Sequence, residues 1–444
     1  MTTTAPSPAS AIAPRLSIMM FLQFFLWGAW FVTLGPFMGA RGQEPSAIGN
    51  AYSTAPIGAI LAPIFLGMIA DRFFATQIVL GMLHVLGGVL LLLAPSLAPQ
   101  AAGDSPWPFI GVLLAHMLCY MPTLGLSTSL SFAHMNNPEK QFPIVRVLGT
   151  IGWIAAGFAV IYLAGLFPNA TTTTTVDGIT TSTVIPGSPH FFYIAGASGV
   201  LLGLYSFTLP NTPPPAKGKP FSIGSAFGLD ALAMLKDRNF AIFALCSFLL
   251  CIPLAAYYAF AATYAGKVGI TNIPVTMTYG QMSEILFMLV MPLCFARLGV
   301  KWMLAVGMLA WVIRYGLFGA AWGGEGAEHI KWMVLAGIIL HGICYDFFFV
   351  TGMIYAEKRA PSAVRAQAQS LLVLLTQGLG MLVGNQVFPR IVGAFTTKTA
   401  AGAEVIDWRM VWFIPAGFAL LVLIFFVVAF NPPKEEGKTA GAGQ

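Results

Sequence analysis

Residues 335–355 read LAGIILHGICYDFFFVTGMIY, and this stretch decides the class of fold. Its single carboxylate, Asp346, has apolar residues on both sides. A helix needs about 20 mainly apolar residues to cross the ~30 Å hydrocarbon core of a bilayer. The stretch is therefore predicted to span a membrane, with one acidic side chain near its middle.

The rest of the chain has the same character. Of its 444 residues, 57% are hydrophobic and 9% are charged, whereas soluble globular proteins carry roughly 25% charged residues. The apolar runs are continuous and do not alternate with period two, which predicts helices rather than a β-barrel. The net charge of +6 comes from basic residues scattered through short loops, so we expect lipid and not nucleic acid around this protein.

Patterns typical of enzymes and metal sites are missing from the sequence. It contains no Walker loop, no GxSxG and no HExxH. The five cysteines lie inside apolar runs without CxxC or CxxH spacing, so neither a disulfide framework nor a metal site is predicted. We expect a protein that is not an enzyme and that uses no metal or organic cofactor.

Pro, Gly and charged residues divide the apolar sequence into twelve predicted helices. Their approximate ranges are 16–38, 47–70, 76–95, 108–133, 144–166, 190–209, 240–265, 275–296, 302–321, 332–356, 364–388 and 409–430. Lys and Arg concentrate in the loops on the side of the N-terminus, which by the positive-inside rule places both termini in the cytoplasm. The predicted organisation is a cytoplasmic tail (1–15), a six-helix bundle (16–209), a cytoplasmic linker (210–239), a second six-helix bundle (240–430) and a cytoplasmic tail (431–444).

The two groups of six helices echo each other. The segment from His116 to Tyr120 in the fourth helix shares His, Cys and Tyr, at the same spacing, with the segment from His341 to Tyr345 in the tenth. Parallel six-helix repeats joined by a cytoplasmic linker are typical of major facilitator transporters. We therefore predict an all-α polytopic membrane protein, with twelve transmembrane helices in two pseudo-symmetric six-helix halves.

Four charged residues, Arg146, Glu284, Arg314 and Asp346, lie inside the predicted helices, beyond the first two residues of each range. A charge at the bilayer centre costs about 2.5–3.5 kcal/mol on insertion scales, so such residues face the bundle interior, pair, or line a water-filled path. Burial disfavours an ionised carboxyl and a nearby cation favours it, so Asp346 could bind and release a proton as its surroundings change. The alternative is a static salt bridge to Arg146 or Arg314, and we expect Arg314 to be the partner of a carboxylate.

Two helix faces combine polar and aromatic groups. Arg146, Thr150 and Trp153 share one face, which suits a ring-containing ligand with several hydrogen-bonding groups; the alternative is that Arg146 snorkels to the headgroups and Trp153 only packs. Gln281 and Glu284 share another face, where an intramembrane carboxylate indicates a substrate or proton pathway and the alternative is a structural hydrogen bond.

Two further features each allow a functional and a structural interpretation. A gating loop is predicted at Asp71 and Arg72, within the GxxxDR spacing between the second and third helices, where a plain turn is the alternative. His341, one turn before Tyr345, is a candidate proton relay, although a lone His on an apolar helix is more often a packing residue.

Several motifs, taken together, resemble the nucleoside:proton symporter family of the major facilitator superfamily. In chain order they are FLQFFLWGAWFVTLGPFM, YMPTLGLSTSLSF, FPIVRVLGTIGW, QMSEILF, AWVIRYGLF and CYDFFFVTG. The resemblance implies inward transport of nucleosides driven by the proton gradient, through alternating access of the two halves. It also implies a nucleoside site at Arg146, Thr150, Trp153, Gln281 and Glu284, a pocket aromatic at Tyr345, and proton coupling at Asp346 and Glu284.

The seventh helix departs from that family. The family offers polar amides to the substrate there, whereas this chain has Ala255 and Tyr258 at the aligned positions. The same fold and coupling with another small polar cargo, such as a sugar or another metabolite, therefore stays open. A sensor built on a transporter scaffold is disfavoured, because the loops are short and no soluble domain is attached. We expect a monomer in a bacterial inner membrane, with the proton as its coupling ion.

Overall fold

The structure is a computed structural model that describes residues 8–65, 73–136, 138–176, 179–185, 187–214, 229–323, 327–361, 364–400 and 404–432, with Ser222, Gly224 and Phe227 between them. We label its helices α1 to α12. They are α1 Pro8–Phe31, α2 Leu34–Ala40, α3 Pro45–Phe65, α4 Thr76–Leu97, α5 Trp107–Ala133, α6 Pro138–Tyr162, α7 His190–Ser206, α8 Arg238–Lys267 and α9 Ile273–Ala320, then α10 Glu328–Arg359 and α11 Gln367–Ala394, and α12 Trp408–Ala429.

Nine helical stretches in the described part of the chain are long and apolar enough to cross a membrane. One of them joins α1 and α2, and another is α9, whose 48 residues bend at Gly299 because this residue has a φ of 65°. A positive φ is easily adopted by glycine alone, so the bend separates two spans within α9. With the shorter α7 and the more polar α3, the predicted twelve spans are confirmed.

The helices form two halves, one from α1 to α7 and the other from α8 to α12. In the first half α1 packs on α6 and α4 on α7; in the second, α9 packs on α12 and α8 on α11. Contacts between the halves are most extensive in two helix pairs, α3 with α11 and α6 with the first part of α9, and α2 also packs on α8. Counted as membrane spans, α3 and α11 are spans 2 and 11, and α6 and the first part of α9 are spans 5 and 8. The repeat relates span 2 to span 8 and span 5 to span 11, so it converts one pair into the other. The predicted pseudo-symmetric fold is thus confirmed.

The repeat extends to individual side chains. His116 lies against Tyr120 with 5.8 Å between ring centroids, and His341 lies against Tyr345 at 5.9 Å. Each histidine also contacts an aromatic ring from the first span of its own half, Trp30 for His116 and Tyr257 for His341. The shared pentapeptide pattern therefore marks equivalent positions in the two halves.

Two short antiparallel hairpins also occupy equivalent loops. In the loop between the fifth and sixth spans, β1 Thr171–Val176 pairs with β2 Ile179–Val184. Between the last two spans, β3 Thr396–Lys398 pairs with β4 Glu404–Ile406. Neither hairpin was predicted, so both are additions to the predicted fold.

Glycine allows the halves to approach closely. A Cβ atom on Gly35 would overlap the carbonyl oxygen of Ala259, and one on Gly49 would overlap that of Asn385. Small residues at helix interfaces let backbones pack closely in membranes, where apolar lipid removes the usual hydrophobic driving force. Beside Gly49, the Gln386 amide donates to Asn50 at 3.0 Å and to Ser53 at 2.9 Å.

Candidate functional site

One wall of the candidate site lies on α6 in the first half. Arg146, Thr150 and Trp153 are all half-buried, so they neither pack completely nor face open solvent. The Arg146 guanidinium lies 4.1 Å from the ring centroid of Phe24 on α1, within the range of a cation–π interaction. This contact holds the cation against the bundle, and the three side chains lie on one face, as the spacing predicted.

Aromatic rings of α1 and α5 extend this wall. Trp153 packs edge-on against Trp27 with 5.4 Å between centroids, and Trp27 lies 5.4 Å from Tyr120. Tyr120 lies close enough to Arg146 to interact with its charge. Residue-by-residue reading of the sequence missed Trp27 and Tyr120, although both belong to motifs that carry the family resemblance, FLQFFLWGAW and YMPTLGLSTS.

The facing wall lies on α9 and α10 in the second half. Glu284 and Gln281 are both half-buried on α9. Glu284 Oε1 lies 3.0 Å from Nε2 of His341, whose side chain is 3% exposed. The tenth span thus supplies a hydrogen-bond partner for the carboxylate of the eighth, and sequence spacing within one helix could not reveal that pair.

Two tyrosines connect the walls. Tyr345 on α10 lies within electrostatic reach of Glu284, Asp346 and, from the other half, Arg146. Tyr258 on α8 lies 5.6 Å from Phe31 of α1, ring centroid to ring centroid, and within electrostatic reach of Glu284. The structure therefore brings most of the predicted site residues together where the two halves meet.

Asp346 lies behind this region and is fully buried. Its side chain is 0% exposed, and neither carboxylate oxygen has a hydrogen-bond partner among the described residues. The residue lies in a π-helical turn, Tyr345–Val350. Such turns are rare and often occur at functional sites, because the extra residue per turn redirects the side chains. Glu284 is near enough to act on Asp346 electrostatically.

The structure contradicts the prediction that Arg314 pairs with a carboxylate. Its Nε donates to the carbonyl oxygen of Gly337 at 3.0 Å, and its guanidinium lies 4.2 Å from the ring centroid of Tyr257. Within the described part of the chain no carboxylate lies within salt-bridge distance of Arg314, so the expected pairing is wrong. The static salt bridge considered for Asp346 is likewise absent from that part. A backbone oxygen and an aromatic face solvate the buried cation instead.

The seventh span presents the departure seen in the sequence. Ala255 is 0% exposed and faces α11, where a Cβ atom added to Gly384 would lie 2.6 Å from the Cβ of Ala255. Tyr258 presents a ring at the next turn. Neither residue offers an amide. The predicted gating residues, Asp71 and Arg72, lie outside the described residues.

Comparison with known proteins agrees with this architecture. The family described as nucleoside H+ symporter matches residues 10–435. A protein named "Putative nucleoside transporter YegT" from Escherichia coli (strain K12) is 39% identical over 428 residues, covering 95% of this chain and 94% of its own. The xanthosine permease of the same organism is 30% identical over 436 residues, covering 95% of this chain and 96% of its own.

Solved structures agree as well. The crystal structure of the nucleoside transporter NupG superimposes with a TM-score of 0.78 at 30% identity, covering 95% of this chain and 99% of that one. The D-xylose-proton symporter superimposes with a TM-score of 0.70 at 13% identity, covering 94% of this chain and 98% of that one. At that identity the second likeness concerns the fold alone.

Proposed function

The chain belongs to the nucleoside H+ symporter family and is a multi-pass membrane transporter rather than an enzyme, and we propose that it binds a nucleoside between its two halves. Arg146, Thr150 and Trp153 form one side of the proposed site. Gln281, Glu284, Tyr258 and Tyr345 form the other. One observation carries the proposal: half-buried polar and aromatic side chains from both halves converge beside a fully buried carboxyl group.

The chemistry of these groups suits a nucleoside. An aromatic face such as Trp153 packs against a flat base, and the hydroxyl of Thr150 and the amide of Gln281 can bond to base edges or ribose hydroxyls. Carboxylates such as Glu284 accept hydrogen bonds from hydroxyl groups, and charge-assisted bonds are stronger than neutral ones. Binding across both halves also links cargo to the movement of one half against the other.

We assign proton coupling to Asp346 and Glu284. An ionised carboxylate without a partner is costly in a dry cavity, so Asp346 favours a bound proton when it is enclosed and can release that proton when water or a cation reaches it. Alternating exposure to the two sides of the membrane would then carry a proton with each substrate. Proton flow down its gradient would drive nucleoside uptake.

The test is uptake of radiolabelled uridine and adenosine into proteoliposomes, with and without an inward proton gradient. We expect gradient-dependent accumulation by the wild-type protein and its loss in Asp346→Asn, which keeps the size of the side chain but cannot ionise. Exchange of internal for external nucleoside, measured without a gradient, should survive in this variant. Full accumulation by Asp346→Asn would remove Asp346 from the coupling step.

A second candidate is the same transporter with another small polar cargo, and Ala255 and Tyr258 favour it because they provide no amides. The same vesicles distinguish the two cargoes. An excess of unlabelled sugar should leave uridine uptake unchanged if the cargo is a nucleoside. Sugar accumulation without nucleoside uptake would favour the second candidate.

We also propose the setting in which this transport takes place. The distribution of basic loop residues supports both termini in the cytoplasm, and the similarity to transporters of Escherichia coli supports a bacterial inner membrane. All the residues of the proposed site come from one chain, which supports a functional monomer. Asp71 and Arg72 remain our proposed gating loop on the cytoplasmic side.

A further inference from the structure

We infer that Gln23 and Trp27 of α1 bind the cargo directly, supplying a hydrogen-bond acceptor and a donor that the seventh span lacks. This inference rests on the proposed function, because it assigns two more contacts to the same site. Gln23 and Trp27 are one turn apart and share a face of α1. Nothing in their spacing alone distinguishes them from ordinary packing residues, so the assignment depends on their contacts.

The hydrogen bonds around Gln23 fix the direction of its amide. The Thr123 hydroxyl donates its proton to the carbonyl oxygen of Tyr120 at 2.5 Å, so Thr123 Oγ1 can only accept a further hydrogen bond. Gln23 Nε2 donates to Thr123 Oγ1 at 2.7 Å. The amide oxygen, Oε1, consequently points the other way, and it is buried with no partner among the described residues. The side chain is 0% exposed, so bulk water does not replace that partner.

Trp27 presents the complementary group. Its indole Nε1, which can only donate, is buried without a partner in the described part of the chain. The residue as a whole is half-buried and lies edge-on against Trp153, a proposed cargo-binding ring. The unpaired acceptor and the unpaired donor thus belong to side chains one helical turn apart, whose Cβ atoms are roughly 5–6 Å apart, and the donor lies beside that ring.

Unpaired indole nitrogens also occur in ordinary packing here, and one of them provides the control. Trp30 Nε1 is buried without a partner in the described residues too, but its ring is 0% exposed and packs against His116 and Phe192, and among the described rings Trp153 contacts Trp27 and not Trp30. Location beside the proposed site therefore distinguishes Trp27 from Trp30. The ligand implied is a ring-containing polar molecule with a donor and an acceptor at its edge, as a nucleobase has.

The experiment measures KM and maximal rate of uridine and adenosine uptake in proteoliposomes for Trp27→Phe, Gln23→Met and Trp30→Phe. Removing one hydrogen bond to the cargo should raise KM about fivefold in Trp27→Phe and in Gln23→Met, with an unchanged maximal rate. Trp30→Phe should keep the wild-type KM. Thermal unfolding in detergent, measured on the same samples, reports purely structural effects. If Gln23→Met fails to fold because Thr123 loses its donor, Trp27→Phe decides.

The possible failures are distinguishable. Wild-type nucleoside uptake combined with wild-type KM values in both α1 variants overturns this inference and leaves the proposed function standing. A lower maximal rate and a lower melting temperature with unchanged KM would make Gln23 and Trp27 structural residues, which also overturns it. Absence of nucleoside uptake by the folded wild-type protein overturns the proposed function and, with it, this assignment.

Discussion

At the scale of single residues, the carboxyl group of Asp346 stands out because ionising it while it is buried costs free energy. Its oxygens have no partner in the described part of the chain, and the effective penalty for burying an ion is several kcal/mol. A group with that penalty is stable in its ionised form only when water, a cation or a polar ligand reaches it. In the proposed function, the same dependence on access couples proton binding to the movement of the substrate.

Glu284 depends on its neighbour His341, and this dependence can be tested. His341→Phe keeps a ring against Tyr257 but removes the 3.0 Å contact with Glu284. We expect a loss of gradient-driven nucleoside uptake of tenfold or more, because about 1.4 kcal/mol corresponds to a factor of ten and a hydrogen bond to a charged group contributes about 1.5–3 kcal/mol. The measurement is initial uptake rate in proteoliposomes over a range of external pH.

The pseudo-symmetry supplies the control. His116 is the equivalent histidine of the first half, and its Nδ1 bonds to the backbone oxygen of Gly87 at 2.9 Å, with no carboxylate within salt-bridge distance in the described part of the chain. His116→Phe should lower the melting temperature slightly and leave the pH dependence of uptake unchanged. Equal changes in the pH profiles of both variants would indicate that His341 acts only through packing.

The sequence correctly predicted which polar and aromatic residues lie together when those residues share one face of one helix. Helical spacing placed Arg146 with Thr150 and Trp153, and Gln281 with Glu284, and both sets are half-buried in the structure. It could not find the Glu284–His341 pair, because contacts between helices depend on how the helices are rotated against each other. The rule that a buried cation pairs with a carboxylate also failed for Arg314, because a carbonyl oxygen and a tyrosine ring occupy that role.

At the scale of secondary structure, Pro, Gly and charge placed all twelve spans near their observed positions. The differences lie at the ends and in the loops. The first helix begins at Pro8, well before the predicted start at residue 16. The two hairpins were not predicted, because their Thr and polar residues resemble a loop and their pairing is not visible from composition. Thr nonetheless has a high β propensity, which was the available signal.

The contact between α2 and α8 gives a prediction for a helix interface. Gly35→Ala places a methyl group against the carbonyl oxygen of Ala259 and should push the two helices apart, whereas Gly39→Ala on the same helix meets nothing within 4 Å. We expect Gly35→Ala to destabilise this arrangement by about 1–3 kcal/mol and Gly39→Ala to be neutral. Thermal unfolding in detergent measures the effect. Equal melting temperatures for the two variants would show that the interface adjusts without cost.

At the scale of the whole molecule, alternating access requires one half to move against the other. The two joining helix pairs, α3 with α11 and α6 with α9, are related by the repeat and must separate at one end when the site opens there. The Gly49 contact and the Gln386 hydrogen bonds lie between α3 and α11, and the Gly35 contact lies between α2 and α8, so the halves meet through small residues and a few polar bonds. Such an interface can open without exposing a large apolar surface.

Cross-linking tests whether α3 and α11 separate during transport. In Ser53→Cys/Gln386→Cys the thiols replace side chains that lie 2.9 Å apart across the interface, so a short cleavable thiol cross-linker should join them. We expect cross-linked protein to lose nucleoside uptake and to regain it when the linker is cleaved. The control pair is Gln77→Cys/Asn211→Cys, whose native side chains bond at 2.9 Å between α4 and the first residues of the linker. Cross-linking there should leave uptake unchanged, because it ties the start of the linker to the first half and does not join the two halves. A protein without added cysteines, treated in the same way, accounts for reaction at the partly exposed Cys294.

Full uptake by the cross-linked Ser53→Cys/Gln386→Cys protein would mean that α3 and α11 stay in contact throughout the cycle, and that the halves move apart elsewhere.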